Sequence, residues 1–188
     1  MKKVLLIIFP RYADFEIAHA LFLLHKIGNA EIISVSINGD PTENIGGLVT
    51  VASSAISTIR VTDFDLVLIP GGDGIQELLA EKIVSRVLRN AYESGIPIGS
   101  MCASAVLLAK AGILDGRKFT CLPHTFNHYQ SIFANGIYTG NDIETAGSIL
   151  TAKGTAFAEF AISVCKILGM NFDNEQMNKW QRFCKGIA

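Results

Sequence analysis

Short runs of apolar residues alternate along this chain with longer segments in which apolar residues recur at helical spacing. Three runs are predominantly apolar, which predicts strands buried on both faces as in a parallel sheet: 4–9, 65–69 and 96–98. The run 31–37 alternates apolar and polar residues, which predicts a strand nearer the sheet edge. Shorter strands are predicted at 46–51, 118–121 and 148–151.

The segments with helical spacing predict the other elements. Helices are expected at 14–27, 76–80, 81–93, 103–111, 125–134, 156–168 and 174–184. Gly28 and Gly169 follow predicted helix ends, where a left-handed residue is common. Gly140-Asn141 stands between the short segments 137–139 and 143–145 and indicates a β-hairpin. Because strands and helices alternate, we expect an α/β three-layer sandwich, a mostly parallel sheet with helices on both faces.

Composition narrows the class of protein. The length of 188 residues and the 49% of apolar residues predict one globular domain. A net charge of −1 gives no sign of nucleic-acid binding. No apolar run approaches the ~18 residues that span a bilayer, and the first run is shorter than the ~7–15 residues of a signal core. The four cysteines have neither paired nor zinc-type spacing. We therefore expect a reduced, cytoplasmic protein without membrane partner, metal or cofactor.

The stretch 99–108, GSMCASAVLL, places Cys102 between a predicted strand and a buried helix. A residue at this junction lies at the carboxyl edge of the sheet, beside the free N–H groups of the helix start, which stabilise an anion. For a cysteine this predicts a lowered pKa and a nucleophilic thiolate. The arrangement parallels the nucleophile elbow of serine hydrolases, with a thiol in place of the hydroxyl.

Two further pieces of the chain are expected at the same edge. Glu16 lies in the first turn of helix 14–27, and Gly71-Gly72 follow strand 65–69. Ligands of parallel α/β folds bind beyond the carboxyl ends of the strands, so these pieces and Cys102 predict one site. Each also has a plainer interpretation. Cys102 would be an inert core cysteine, Glu16 a first-turn acid that complements the helix dipole, and Gly71-Gly72 the glycines that a tight turn requires.

Five segments carry a resemblance to a known family: 14–16 (DFE), 65–72 (DLVLIPGG), 99–108 (GSMCASAVLL), 111–118 (AGILDGRK) and 159–161 (EFA). In this order they resemble the ThiJ/PfpI superfamily, with one such domain over 1–188. The resemblance implies a flavodoxin-like fold related to the class I glutamine amidotransferases, and a homodimer. It also implies Cys102 as nucleophile, Glu16 as the acid that hydrogen-bonds the thiolate, and the N–H groups of Gly72 and Ala103 as oxyanion-hole donors.

The chain departs from the family pattern at its histidines. The protease-like branch has a histidine directly after the cysteine, where this chain has Ala103, and the deglycase branch has one before the proline, where this chain has Leu122. The nearest substitutes are His124 and His128. What remains is a Cys–Glu pair, which the family associates with glyoxalase or deglycase chemistry and with redox sensing.

The leading interpretation is thus a cysteine-dependent enzyme that acts on small reactive carbonyls such as methylglyoxal, or on modified protein side chains. The alternatives are an amidase or peptidase with His124 as base, and a redox sensor or chaperone without turnover that is oxidised at Cys102. Cys121 is expected either to resolve an oxidised Cys102 as a disulfide or to be a buried strand residue. His19 is expected at a helix or subunit contact.

Overall fold

The computed structural model describes residues 1–187. In chain order the strands of these residues are β1 (Lys3–Ile7), β2 (Glu31–Ser36), β3 (Thr42–Glu43), β4 (Val49–Thr50), β5 (Ser54–Ala55), β6 (Leu66–Ile69), β7 (Ile98–Met101), β8 (Lys118–Phe119), β9 (Ile137–Tyr138), β10 (Ile143–Ala146) and β11 (Ile149–Ala152). Seven of them form the central sheet in the order β10-β11-β7-β6-β1-β2-β5. Within this sheet all neighbours pair in parallel except β10 and β11. The predicted α/β architecture with a mostly parallel sheet is therefore confirmed.

Residues 1–187 form seven α-helices, six of which fall into two groups. They are α1 (Asp14–Leu21), α2 (Ile75–Ala80), α3 (Lys82–Glu93), α4 (Ala105–Lys110), α5 (Pro123–His128), α6 (Phe157–Ile167) and α7 (Asn174–Cys184). Helix α6 contacts both α1 and α7, whereas α2, α3 and α4 contact one another, and the two groups cover the sheet. Strands β6, β7 and β11 are buried along their whole length, because helices cover their faces and other strands their edges.

The predicted hairpin around Gly140-Asn141 is wrong. Strand β9 pairs in parallel with β8, and β10 pairs with β11 through a turn at Gly147. The reason is aromatic packing: the ring of Tyr138 in β9 lies 5.8 Å from that of Phe119 in β8 and stacks on Phe126 at 4.1 Å. This burial between distant segments outweighs the local turn signal.

Three other predictions need smaller corrections. The helix predicted at 125–134 is the shorter α5, Pro123–His128, and strand 46–51 is only the two-residue β4, paired with β3. Helix α1 continues as a π-helical segment, Phe22–Ile27, but the left-handed residue after it is Asn29. Gly28 instead allows close packing, because a Cβ there would lie 1.7 Å from Met170 Cε.

Candidate active site

Cys102 directly follows β7, and its backbone is in the left-handed region, with φ of 57°. Such a conformation costs a non-glycine residue about 1–3 kcal/mol, so its surroundings must hold it in place. The hydroxyl of Ser104 accepts the Met101 N–H at 2.9 Å and lies 3.0 Å from the carbonyl of Ile69, the last residue of β6. Ser104 thus links the turn to two strands, a role that the sequence alone did not indicate.

Glu16 is the third residue of α1 and is 3% exposed. One carboxyl oxygen, Oε2, accepts the Gly71 N–H at 2.7 Å, and the side chain also forms a hydrogen bond with the thiol of Cys102. Helix α1 follows β1, and Gly71 and Cys102 follow β6 and β7, which are neighbours of β1 and of each other in the sheet. The three pieces that are distant in sequence thus lie in contact at the carboxyl edge.

Burial dominates the electrostatics of Glu16. It raises the pKa of the carboxyl group to about 7, although the hydrogen bonds from Cys102 and Gly71 oppose the rise. Near neutral pH Glu16 therefore exists in both protonation states. A carboxyl group with this pKa accepts and returns protons at physiological pH, as general acid–base catalysis requires.

The thiol of Cys102 does not have the lowered pKa that the sequence predicted. Burial raises its pKa, and the charge and hydrogen bond of Glu16 raise it further, while the Ala103 N–H lowers it. The turn supplies the expected amide donor, but desolvation and the adjacent carboxylate outweigh it. The negative charge of the pair therefore rests on Glu16, and the thiol keeps its proton in a hydrogen bond to that carboxylate.

Two glycines flank this pair because no side chain fits there. A Cβ on Gly71 would lie 2.5 Å from Cys102 Cβ and 2.7 Å from Glu16 Oε2. A Cβ on Gly154 would lie 2.6 Å from Glu16 Oε1 and 2.9 Å from Cys102 Sγ. Sequence reasoning missed Gly154, although its place two residues after β11 put it at the same edge of the sheet.

Gly72, which is expected to be an oxyanion-hole donor, occupies a position that requires glycine. Its φ is 140°, and a Cβ would lie 2.3 Å from the carbonyl oxygen of Arg11. The hydrogen bonds of its neighbours, Ala13 N–H to the Gly71 carbonyl and Asp73 N–H to the Arg11 carbonyl, hold it in place. Within residues 1–187 its own N–H donates to no protein acceptor, while the Ala103 N–H donates to the Cys102 sulfur.

The histidines are placed differently. His124 and His128 lie exposed on α5, and in the described part of the chain no hydrogen bond joins either to Cys102 or Glu16. His19 lies one turn after Glu16 beside Phe157, with ring centroids 5.6 Å apart and a buried Nδ1 without a hydrogen-bond partner. Residues 1–187 contain no cluster of three or more metal-ligating side chains and no helix long and apolar enough to cross a bilayer.

Comparison with known proteins identifies the chain's relatives. The model of the DJ-1/PfpI family matches residues 2–167. The uncharacterized protease YoaZ of Bacillus subtilis is 24% identical over 197 residues, 98% of this chain and 91% of the relative. The glutathione-independent glyoxalase DJR-1.2 of Caenorhabditis elegans is 26% identical over 147 residues, 75% of each protein. The crystal structure of the DJ-1 superfamily protein Atu0886 from Agrobacterium tumefaciens superposes with a TM-score of 0.88, 22% identity and 99% coverage of both chains, which confirms the fold.

Proposed function

Because the chain belongs to the DJ-1/PfpI family, we propose that it is a glyoxalase- or deglycase-type enzyme that acts on small reactive carbonyls through Cys102. The family includes relatives named as glyoxalases and as proteases, so membership alone leaves the reaction open. The observation that carries the proposal is the buried hydrogen bond between the Cys102 thiol and Glu16, a carboxyl group with a pKa of about 7. This pair combines a nucleophile with a group that moves protons at neutral pH.

The first step is addition of sulfur to an aldehyde such as that of methylglyoxal. Glu16 accepts the thiol proton as the bond between Cys102 Sγ and the aldehyde carbon forms, and the carbonyl electron pair moves to oxygen. The N–H groups of Gly72 and Ala103 stabilise this oxyanion, which then takes the proton from Glu16 to give a hemithioacetal. The raised pKa of the thiol makes Glu16 necessary as the proton acceptor.

A second proton transfer completes the conversion. Glu16 removes the proton from the carbon bonded to sulfur and returns it to the neighbouring carbonyl carbon. The proton of the hemithioacetal hydroxyl moves to the former carbonyl oxygen, which leaves a lactoyl thioester on Cys102. Water then cleaves the thioester, releases lactate and regenerates the thiol. The net reaction adds one water to methylglyoxal and needs neither oxidant nor reductant.

The test compares methylglyoxal consumption by the wild type with that of Cys102→Ala and Glu16→Gln. We expect loss of turnover in the first and a decrease of about 100-fold or more in the second, because general-base assistance is removed. Cys165→Ala is the matched control, since Cys165 is also a buried thiol with a raised pKa, about 12, but lies in α6. Unchanged consumption by the Cys102→Ala variant would refute the proposal.

One observation favours a redox function as the second candidate. Protonated Glu16, which its pKa of about 7 makes available, would donate a hydrogen bond to a sulfinate on Cys102. Mass spectrometry after peroxide treatment, combined with the carbonyl assay, separates the candidates: oxygen added at Cys102 in a protein that consumes no carbonyl favours the sensor. The peptidase alternative depends on His124, whose exposed position on α5 offers it no support.

We also propose a homodimer through an apolar surface beside the site. The Ile45 N–H donates to the Tyr12 carbonyl at 2.9 Å, which holds the β3–β4 ribbon against the segment that leads into α1. Large apolar side chains stay exposed there by 43% to 71%: Phe15, Ile45, Leu48, Val49 and Val51. Sedimentation should give a dimer for the wild type and a monomer for Val49→Asp. A wild type that sediments as a monomer contradicts this assembly.

A further inference from the structure

A second thiol, Cys121, follows β8, which contacts β11, the neighbour of β7 in the central sheet. Met101, which precedes Cys102, pairs with Ala152 at the end of β11. Thr120, which precedes Cys121, donates its N–H to the Oγ1 of Thr151, also in β11, at 3.0 Å. Although β8 belongs to a separate two-stranded sheet, both backbone segments are attached to adjacent residues at the end of β11, which brings Cys102 and Cys121 close together.

The electrostatics agree with this placement. A negative charge on Cys121 raises the pKa of Cys102, whereas neither Cys165 nor Cys184 is among the groups that do so. Charges act on one another over short distances in a protein, so Cys121 is the thiol that lies near the site. A negative charge on Cys184 raises the pKa of Cys165, so these two cysteines, in α7 and α6, form a separate thiol pair.

The surroundings of Cys121 leave it only an internal partner. The residue has no solvent-exposed surface, and the Phe126 N–H donates to its sulfur. The Tyr138 hydroxyl donates to its carbonyl at 3.3 Å, and the stacked rings of Phe126 and Tyr138 cover this segment. An external oxidant therefore meets Cys102, which is 9% exposed, before it meets Cys121.

We propose that Cys121 resolves Cys102 after oxidation by a hydroperoxide and forms an intramolecular disulfide with it. In the first step Cys102 sulfur attacks one peroxide oxygen and the O–O bond breaks, which gives a sulfenic acid and an alcohol or water. In the second step Cys121 sulfur attacks the sulfur of Cys102, and the hydroxyl group leaves as water with the Cys121 proton. An external dithiol reduces the disulfide and restores both thiols.

This reaction would regulate the proposed carbonyl activity. The inference rests on the proposed function only because both require a reactive Cys102. The disulfide removes the nucleophile, so turnover stops until a dithiol restores it. It also intercepts the sulfenic acid before a second peroxide converts Cys102 to the sulfinic acid, which a dithiol does not reduce. The pair thus makes peroxide inhibition reversible.

The test treats the folded wild type with a small excess of hydrogen peroxide, blocks remaining thiols and identifies peptides without reduction. We expect a peptide that joins Cys102 to Cys121, its loss on dithiol treatment, and recovery of methylglyoxal consumption. Cys121→Ala should lack this peptide and instead accumulate sulfinic acid at Cys102, with activity that a dithiol does not restore. Cys165→Ala, the matched buried-thiol control, should behave as the wild type.

The outcomes separate the two proposals. A wild type that consumes methylglyoxal before the peroxide treatment, and that gains oxygen at Cys102 without the joined peptide, overturns the disulfide and leaves the enzyme proposal intact. A joined peptide between Cys165 and Cys184 alone also overturns it. Absence of both oxidation at Cys102 and carbonyl consumption overturns both proposals. The wild-type result decides even where Cys121→Ala does not fold.

Discussion

Replacement of Gly154 by alanine tests whether contact between this loop and the Cys102–Glu16 pair sets reactivity. The added Cβ would lie 2.6 Å from Glu16 Oε1 and 2.9 Å from Cys102 Sγ. Ordinary contacts between such atoms are near 3.5 Å, so the carboxylate and the sulfur must separate from the loop by ~0.6–0.9 Å. A displacement of this size in a catalytic pair lowers the rate by about 100-fold.

Gly154→Ala should lower the reactivity of Cys102 more than it lowers the stability of the fold. Gly154 does not have a left-handed backbone, so alanine adopts its conformation, and the cost is overpacking of about 1–3 kcal/mol. Gly147→Ala is the matched control: Gly147 has φ of 64° and open space around its Cβ position, at the opposite end of β11. That variant should lose about 1–2 kcal/mol of stability to backbone strain while its site stays intact.

Two rates are measured on each variant: the rate of methylglyoxal consumption and the rate of iodoacetamide alkylation at Cys102. Urea unfolding gives the stability of each variant. The alkylation rate reports on the thiol even where the natural substrate differs from methylglyoxal. Gly154→Ala should lower both rates and Gly147→Ala neither. Equal rates in the two variants, at comparable stability, would refute the argument that the absence of a side chain at Gly154 keeps Cys102 and Glu16 in their positions.

Three further predictions concern Glu16, the turn that holds Cys102, and the contact between Gly28 and Met170. Glu16 has a folded-state pKa of about 7 against an ordinary 4.5, so the wild type should lose stability as the pH rises between these values. Glu16→Gln has no such ionisation and should be more stable than the wild type by up to about 3 kcal/mol at pH 8, but not at pH 4. Urea unfolding at the two pH values measures this difference. Ser104→Ala should lose about 1–3 kcal/mol in thermal unfolding, because it leaves the buried Met101 N–H without its acceptor. Gly28→Ala should be destabilised and partly rescued by Met170→Ala in a double-mutant cycle, since the new Cβ meets Met170 Cε; additive losses would contradict the contact.

Much of the architecture and three parts of the site could be predicted from the sequence. The strands 4–9 and 65–69 and the helices after them follow from apolar periodicity, which depends only on local order along the chain. Parallel pairing brings the carboxyl ends of strands to one edge, so it also predicts that Glu16, Gly71 and Cys102 meet there. The hairpin at 137–145 failed for the opposite reason, because the contact between Tyr138 and Phe119 joins residues that no local pattern relates.

Only the tertiary structure decided the chemistry within that edge. The helix start beside Cys102 predicted a low thiol pKa, but the pKa depends on burial and on the distance to a carboxylate from another part of the chain, and both raise it. The need for glycine at 154 likewise arises from the sulfur and carboxylate atoms that lie against it, with nothing unusual in its own backbone. Apolar periodicity is a property of neighbouring residues and was readable in the sequence, whereas pKa values and close contacts depend on distances between remote residues, which exist only once the chain has folded.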